Sequence, residues 1–540
     1  MADRRLLRPL PPLGALLLAA GARAQDPSSA VPSGTFGEVV DVRVVNVEVV
    51  VTDPDGVPVR GLGPAAFGLQ VDGQEIPIEY FTEVQGGVAV DGRQGPTALA
   101  DVPALVPGEP VGTSYLLFID ELFAIDTDRD EVLQGIAQDL TLLGAADRMA
   151  VVAFDGRELQ MLSTWSSSPD ALARALKDAG RRPAHGMQRL AERRQFERTR
   201  VLPPTFQTRR AFDSELDPEA KAYALRLADQ VERVVRAASA TLRSFARPPG
   251  RKVLLLLSGG WPYQPTDFVA GQRIVLFDDL GLVEGEELWA RLANTANRLG
   301  YTIYPVNLPG AFDRLESDAG LATDSRRQDL YTTLRYLASE TGGRAFLGAG
   351  RETALRATAA DTRSYYWLGF TPERTWDDRA HDIRVTVTNA ALEVRSRSGF
   401  QDVSRQTEVS MAVESALLFA AFPSSPELTV ELGAPRRAGL QKVEVPVTLV
   451  LPLSAVTFLP QGSAWVAQLE LRFAVADEGF HLAEIPVLPV AVQSATPPAA
   501  AEQWRFATTL KLRRRPQELM VAVYDPPSGR ILARRVRLDP

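Results

Sequence analysis

Between Ser114 and Leu347, short unbroken apolar runs alternate with stretches of helical periodicity. No other feature constrains the fold as much. A strand covered on both faces reads as a continuous apolar run, and a parallel neighbour needs a crossover of helical length. Residues 115–119, 149–154, 253–257 and 301–306 read as such strands, with 344–347 as a short last one. Helices are predicted over 128–143, where Val132, Ile136, Leu140 and Leu143 share a face, over 169–179, over 287–299 and over 328–339. A longer one starts at Pro218 behind a capping Asp217, with Leu227, Val231, Val234, Ala238, Leu242 and Phe245 inward. The pattern predicts a mostly parallel, Rossmann-type sheet flanked by helices over 113–350. Residues 181–216 are rich in Arg, lack periodicity and read as an insertion.

On either side the period falls to two. Residues 38–84 read as a small N-terminal β module, with turn chemistry at 53–56 and at Asp72-Gly73. Asp41 and Arg43 share one parity and Asn46 and Glu48 the other, which predicts a β-bulge near Val44-Val45. Residues 86–112 read as a Gly/Pro/Ala linker, and 361–401 as a β extension of three strands. From 405 to 540, strand patterns recur at 428–431, 443–451, 465–474, 484–492, 504–512, 518–523 and 531–538. That spacing predicts a C-terminal antiparallel β-sandwich. The expected fold class is multidomain, α/β plus all-β, as 540 residues demand at about 100–200 per domain.

Composition removes several functions. Cys is absent, so disulfides, thiolate metal sites and a Cys nucleophile are excluded. The three His are far apart, which leaves little basis for a His-rich metal site or a Ser–His triad. The net charge is −8, unsuited to general nucleic-acid binding. Residues 1–24 read as a signal peptide: Arg4, Arg5 and Arg8 precede an apolar run, and Ala22-Arg23-Ala24 offers a cleavage site. No later stretch has the roughly 18 apolar residues of a membrane span. The mature chain is expected to be exported, to the periplasm or beyond, without a transmembrane segment.

Several segments in order resemble the bacterial proteins related to the von Willebrand factor type A (VWA) fold. Val49-Val50-Val51-Thr52-Asp53, Gly61-Leu62 and Phe67 are similar to that group's N-terminal module, and Leu116-Leu117-Phe118-Ile119-Asp120 to its first VWA strand. Pro249-Gly250-Arg251-Lys252 with Leu256-Leu257-Ser258-Gly259-Gly260-Trp261-Pro262 resembles its central strand and loop. Thr341-Gly342-Gly343 is similar to the end of its VWA domain. Tyr365-Tyr366-Trp367-Leu368-Gly369-Phe370 and Arg397-Ser398-Gly399-Phe400 resemble its trailing β segment. The resemblance spans about 39–400. It implies a sheet that meets ligands at the carboxyl ends of its strands, and the binding of partner proteins.

The resemblance also implies a Mg²⁺ site of the form D-x-S-x-S, completed by a Thr and an Asp from other loops. Here the first motif reads Asp120-Glu121-Leu122-Phe123-Ala124, Ser166 stands for the Thr, and Gly259 stands where the second Asp belongs. Asp120 and Ser166 are thus the candidate ligands of a degenerate divalent-cation site. Asp126, Asp128 and Asp130 recur at alternate positions and suit either a substitute cation site or the N-terminus of the next helix. Glu121, Ser258, Gly259 and Trp261 are the candidate partner contacts. Ser258 lacks the G-x-S-x-G frame of a nucleophile elbow, and no phosphate-binding glycine loop occurs in a strand–helix context. The expected function is a secreted, non-enzymatic, adhesion-like protein-binding module. A scaffold of the bacterial cell envelope is the alternative, and a hydrolase with an unrecognised site a minor one.

Overall fold

The computed structural model describes residues 44–93, 107–200, 218–246, 248–270, 285–308, 323–348, 350–372, 378–419, 425–477, 486–499 and 502–539. The predicted signal peptide, the capping Asp217 and the segment before Val44 lie outside them. Two compact units are present, one over 40–405 and one built from 406–540. The chain is mixed α/β and rich in strands, and most strand pairings are antiparallel. Among the described residues no helix is long and apolar enough to cross a membrane.

In the 40–405 unit the strands are β1 (Val45–Thr52), β2 (Phe67–Val71), β3 (Gln74–Glu75), β4 (Tyr80–Gln85), β5 (Val88–Arg93), β6 (Thr113–Asp120), β7 (Arg148–Phe154), β8 (Leu159–Ser166), β9 (Arg251–Ser258), β10 (Tyr301–Asn307), β11 (Tyr365–Phe370), β12 (Ala380–Val387), β13 (Glu393–Arg395) and β14 (Gly399–Gln401). The central sheet runs β10-β9-β6-β7-β8. Its first four strands are parallel, and β8 returns antiparallel along β7. Every residue of β6 is buried, as a strand covered on both faces requires. Tyr115, Leu117 and Ile119 pack beneath the helices Asp126–Asp139 and Pro169–Gly180. The helix Pro218–Ser244 lies against β6 and β7, and the helix Glu286–Leu299 against β10.

Two expectations for this unit need correction. The region 38–84 and the extension 361–401 are not separate pieces. β11 lies between β1 and β4, β12 pairs with β2, and β13 pairs with β1. Together they make two sheets, β13-β1-β11-β4-β5 and β14-β12-β2-β3, around one core that includes Val47, Val49, Phe67, Leu69, Tyr366, Leu368 and Phe370. A module of about 50 residues buries too little apolar surface alone, and the returning strands supply the rest. Second, β5 occupies part of the expected linker, and the expected insertion contains the helix Gly186–Arg200, with Leu190, Arg193 and Phe196 buried. The bulge expected near Val44-Val45 falls at the edge of the described residues, which begin at Val44.

In the second unit, β15 (Thr429–Leu432), β16 (Arg436–Arg437), β17 (Lys442–Pro452), β18 (Leu459–Gln461), β19 (Ala464–Asp477), β20 (Val487–Ser494), β21 (Gln503–Arg513), β22 (Gln517–Asp525) and β23 (Arg530–Leu538) form two antiparallel sheets. One gathers β15, β16 and β21 around β17; the other runs β18-β19-β22-β23 with β20 also on β19. Alternate residues such as Val445, Val447, Leu469, Leu471, Val521 and Val523 meet in one core, which makes a β-sandwich. The opposite parity of β22, Met520, Ala522 and Tyr524, packs on a helix, Arg405–Phe419, through Val409, Val413 and Leu417. The sequence reading missed that helix.

Leu368 is fully buried on β11, with β1 and β4 on its two sides. Leu368→Ala is expected to destabilise the 40–405 unit by about 2–5 kcal/mol, measured by urea unfolding. A loss below about 1 kcal/mol would show that the returning strands do not support the sandwich.

Candidate functional site

Numbered along the chain, the central strands lie in the order 3-2-1-4-5, so connections leave β6 and β9 toward opposite sides. Open α/β sheets form their ligand crevice at such a switch point, beyond the carboxyl ends of the two strands. Asp120 is the last residue of β6 and Ser258 the last of β9. Both are fully buried, and so is Trp261. Asp120 Oδ1 accepts the backbone N–H groups of Leu122 at 3.0 Å and Phe123 at 3.4 Å. Its Oδ2 accepts Ser258 Oγ at 2.7 Å and Trp261 Nε1 at 2.8 Å. Burial pushes the Asp120 carboxyl up to about 6, against four donors that each favour the charge.

The indole of Trp261 stacks on Trp289, with ring centroids 5.4 Å apart and planes 6° from parallel. The Trp261 carbonyl accepts Thr333 Oγ1 at 2.9 Å, and Trp289 Nε1 donates to Tyr263 O at 2.9 Å. Gly260 permits the turn: its φ is +82°, and a Cβ there would stand 3.2 Å from the Leu330 side chain. The crevice is therefore filled by the chain's own indole, tied to the carboxylate at its base.

These residues do not fit a cation site. A carboxylate offers about four lone-pair positions, and four donors occupy those of Asp120. Ser166 is at the other end of the sheet. It registers with Met149, which registers with Tyr115, five residues before Asp120, or ~16 Å along the strand. Its Oγ accepts the N–H of Ser168, the cap of the next helix, at 3.1 Å. Gly259 offers no side chain. Among the described residues no group of three or more acidic or His side chains could hold a metal ion.

The expected partner contacts are corrected as well. Ser258, Gly259 and Trp261 are buried by the packing just described. Glu121 is buried on the other side of the loop, where its carboxylate meets Arg182 Nε at 2.8 Å and Arg129 Nη1 at 3.8 Å. Burial raises the Glu121 carboxyl, and the two guanidinium groups oppose it. Arg129 is fully buried, donates to the carbonyls of Arg182 at 2.9 Å and Gly180 at 3.2 Å, and pairs with Asp130 at 2.8 Å and Asp126 at 3.6 Å. Asp126 Oδ1 also accepts the N–H of Ala184 at 2.7 Å. Asp126 and Asp130 thus fix the 180–184 segment, and Asp126 and Asp128 sit in the first turn of their helix. The sequence reading missed Arg129, Arg182, Trp289 and Thr333. Arg129 carried a signal, since it stands three, four and seven residues before Val132, Leu133 and Ile136 on the buried face.

No protein-family model and no curated protein matches the chain. Among the solved structures it is similar to, three are 10% identical to it. A β-glucuronidase of Bacteroides uniformis matches over 33% of this chain and 19% of that one, with a TM-score of 0.15. The pilus adhesin SpaC from Lactobacillus rhamnosus GG matches over 78% of this chain and 54% of its own, with a TM-score of 0.27. The three N-terminal domains of the type V pili tip protein Mfa5 from Porphyromonas gingivalis match over 88% and 78%, with a TM-score of 0.20. At such scores none of them shares the whole fold.

Unfolded, the Asp120 carboxyl titrates near 3.8; folded, near 6. Between those values the folded state holds the proton and the unfolded state does not. Its contribution to stability is therefore complete below pH 3.8 and is lost as pH rises through about 6, by up to about 3 kcal/mol. Asp120→Asn removes that component. The difference in unfolding free energy between wild type and variant should change across that window and level off above pH 7, whereas parallel curves would contradict the assignment.

Proposed function

We propose that this chain is an exported, non-enzymatic protein-binding module of the VWA type that works without a bound cation. The carrying observation is the sealed switch point. Among the described residues Trp261 fills the crevice, and four donors occupy the lone pairs of Asp120. The Ser258 hydroxyl is fully buried and donates to Asp120, so no acyl group reaches it. The sheet order with helices on both faces supports the Rossmann-type part of the reading.

A broad rim is left at the carboxyl ends of the strands. Connections at the amino ends are short, from Leu299 to Tyr301 and from Ser244 to Arg251. At the carboxyl ends two are long, from Ser258 to Glu286 and from Asn307 to Thr323, and two are short, from Asp120 to Asp126 and from Phe154 to Leu159. Long connections on a rigid sheet are the usual carriers of recognition, and a wide rim suits a macromolecule. In this reading the two β-sandwiches act as spacers or further surfaces.

A photo-crosslinking residue placed at exposed Gln264 or Arg157, on the rim, is expected to capture a partner protein on cells that make the full chain. The same residue at exposed Ala145, at the amino end of the sheet, is expected to capture none. Equal capture at all three sites would favour an envelope scaffold, and capture at Ala145 alone would overturn the rim.

A further inference from the structure

In the 40–405 unit, a cavity of about 490 Å³ lies where the helix Thr323–Glu340 and the segment after it meet β12 and β13. Its wall carries five guanidinium groups, from Arg335, Arg344, Arg384, Arg395 and Arg397, and no carboxylate. That is unusual in a chain whose net charge is −8. Arg395 is already neutralised by Asp361, at 2.5 Å. Arg335, Arg344 and Arg384 are exposed, and none has a carboxylate partner among the described residues.

Arg397 shows that the cationic wall is built in. It is 7% exposed, and Nη1 donates to the Asn297 carbonyl at 2.9 Å while Nη2 donates to that of Asn46. These partners are neutral, no carboxylate pairs with it among the described residues, and its buried Nε has no hydrogen-bond partner. The Glu48 carboxylate acts on it from beyond pairing distance, so its charge is only partly offset and the wall keeps capacity for negative charge.

A further feature says what kind of anion fits. Ile383, Val385 and Val394 also line the cavity, but their side chains pack on the sandwich core. The segment 344–347 is a sheet edge. Phe346 alone bridges to β10, donating to Pro305 O at 2.8 Å and accepting Asn307 N–H at 2.9 Å. Ala345 and Leu347 line the cavity, and among the described residues their N–H groups donate to nothing. An open edge accepts a further strand.

We propose that this groove binds an extended acidic peptide segment of a partner protein. Its carboxylates lie on Arg335, Arg344 and Arg384, and its backbone along 344–347. The open backbone edge favours a peptide over an inorganic polyanion. None of Asp120, Ser258, Gly259 and Trp261 lines the groove, so its arginines can be changed without touching the switch point.

The test is fluorescence anisotropy on the full chain with three labelled probes: a synthetic peptide of alternating Glu and Val, its Gln-for-Glu counterpart, and inorganic polyphosphate. Saturable binding of the Glu-Val peptide is expected, weakening as salt rises. Arg335→Glu and Arg384→Glu, both at exposed positions, should each weaken it at least about tenfold with the unfolding midpoint unchanged. No saturable binding of the Glu-Val peptide, equal affinity for the Gln-Val peptide, or unchanged affinity in both variants would overturn the proposal. Binding of polyphosphate without the peptide would overturn the peptide assignment.

Discussion

A carboxylate removed from water survives in a fold only when donors meet its lone pairs. Asp120 is such a group, and the carboxyl end of the central sheet is arranged around it. Its two oxygens gather the start of the loop after β6, the end of β9 and the indole three residues beyond. The indole then stacks on Trp289 of one helix, and its carbonyl takes the hydroxyl of Thr333 from another. One buried acid thereby closes the crevice that the strand order would otherwise open.

The second organising fact is the path of the chain. It leaves a β-sandwich after β5, builds the whole α/β layer, and returns as β11 to the centre of the sheet it left. The joint is polar and specific. Tyr115 Oη lies 3.1 Å from Thr362 Oγ1, Tyr304 Oη donates to Asp361 at 2.6 Å, and Arg395 pairs with the same carboxylate. Burial would raise the Asp361 carboxyl, but Arg395 and Tyr304 hold it below the usual range. The cationic groove lies along the same joint, because β13 and the strand end at Arg397 bring arginines against the last segment of the α/β layer.

The elements that bury apolar surface with a clear period were legible in the sequence. The parallel strands and most helices of the α/β layer fall where the runs and the 3.6-residue faces put them, and so do β15, β17 and β19 to β23 of the second sandwich. Elements whose stability comes from distant partners were not legible. β8 alternates weakly and exists because Asp155-Gly156 turns the chain: Asp155 Oδ1 accepts the N–H groups of Arg157 and Glu158, and Gly156 has a φ of +94°. The helix Gly186–Arg200 is mostly charged, yet it buries Arg193 over the rings of Phe196, Tyr223 and Phe268, a contact that no local pattern encodes. In the site, the motif led to Asp120, Ser258 and Trp261 as neighbours but not to their orientation. Residues that read as rim contacts turned out to be a plug, since only the fold places Trp289 and Thr333 behind them.

The central claim is that the Asp120 carboxylate is a closed structural lock and not a cation ligand. Thermal unfolding of the chain, in chelator and then in Mg²⁺, Mn²⁺ or Ca²⁺, tests it most directly, because a ligand bound only by the folded state raises the midpoint. The account predicts the same midpoint in all four conditions and a lower one for Asp120→Ala in each of them. A rise with one cation that disappears in Asp120→Ala would contradict it.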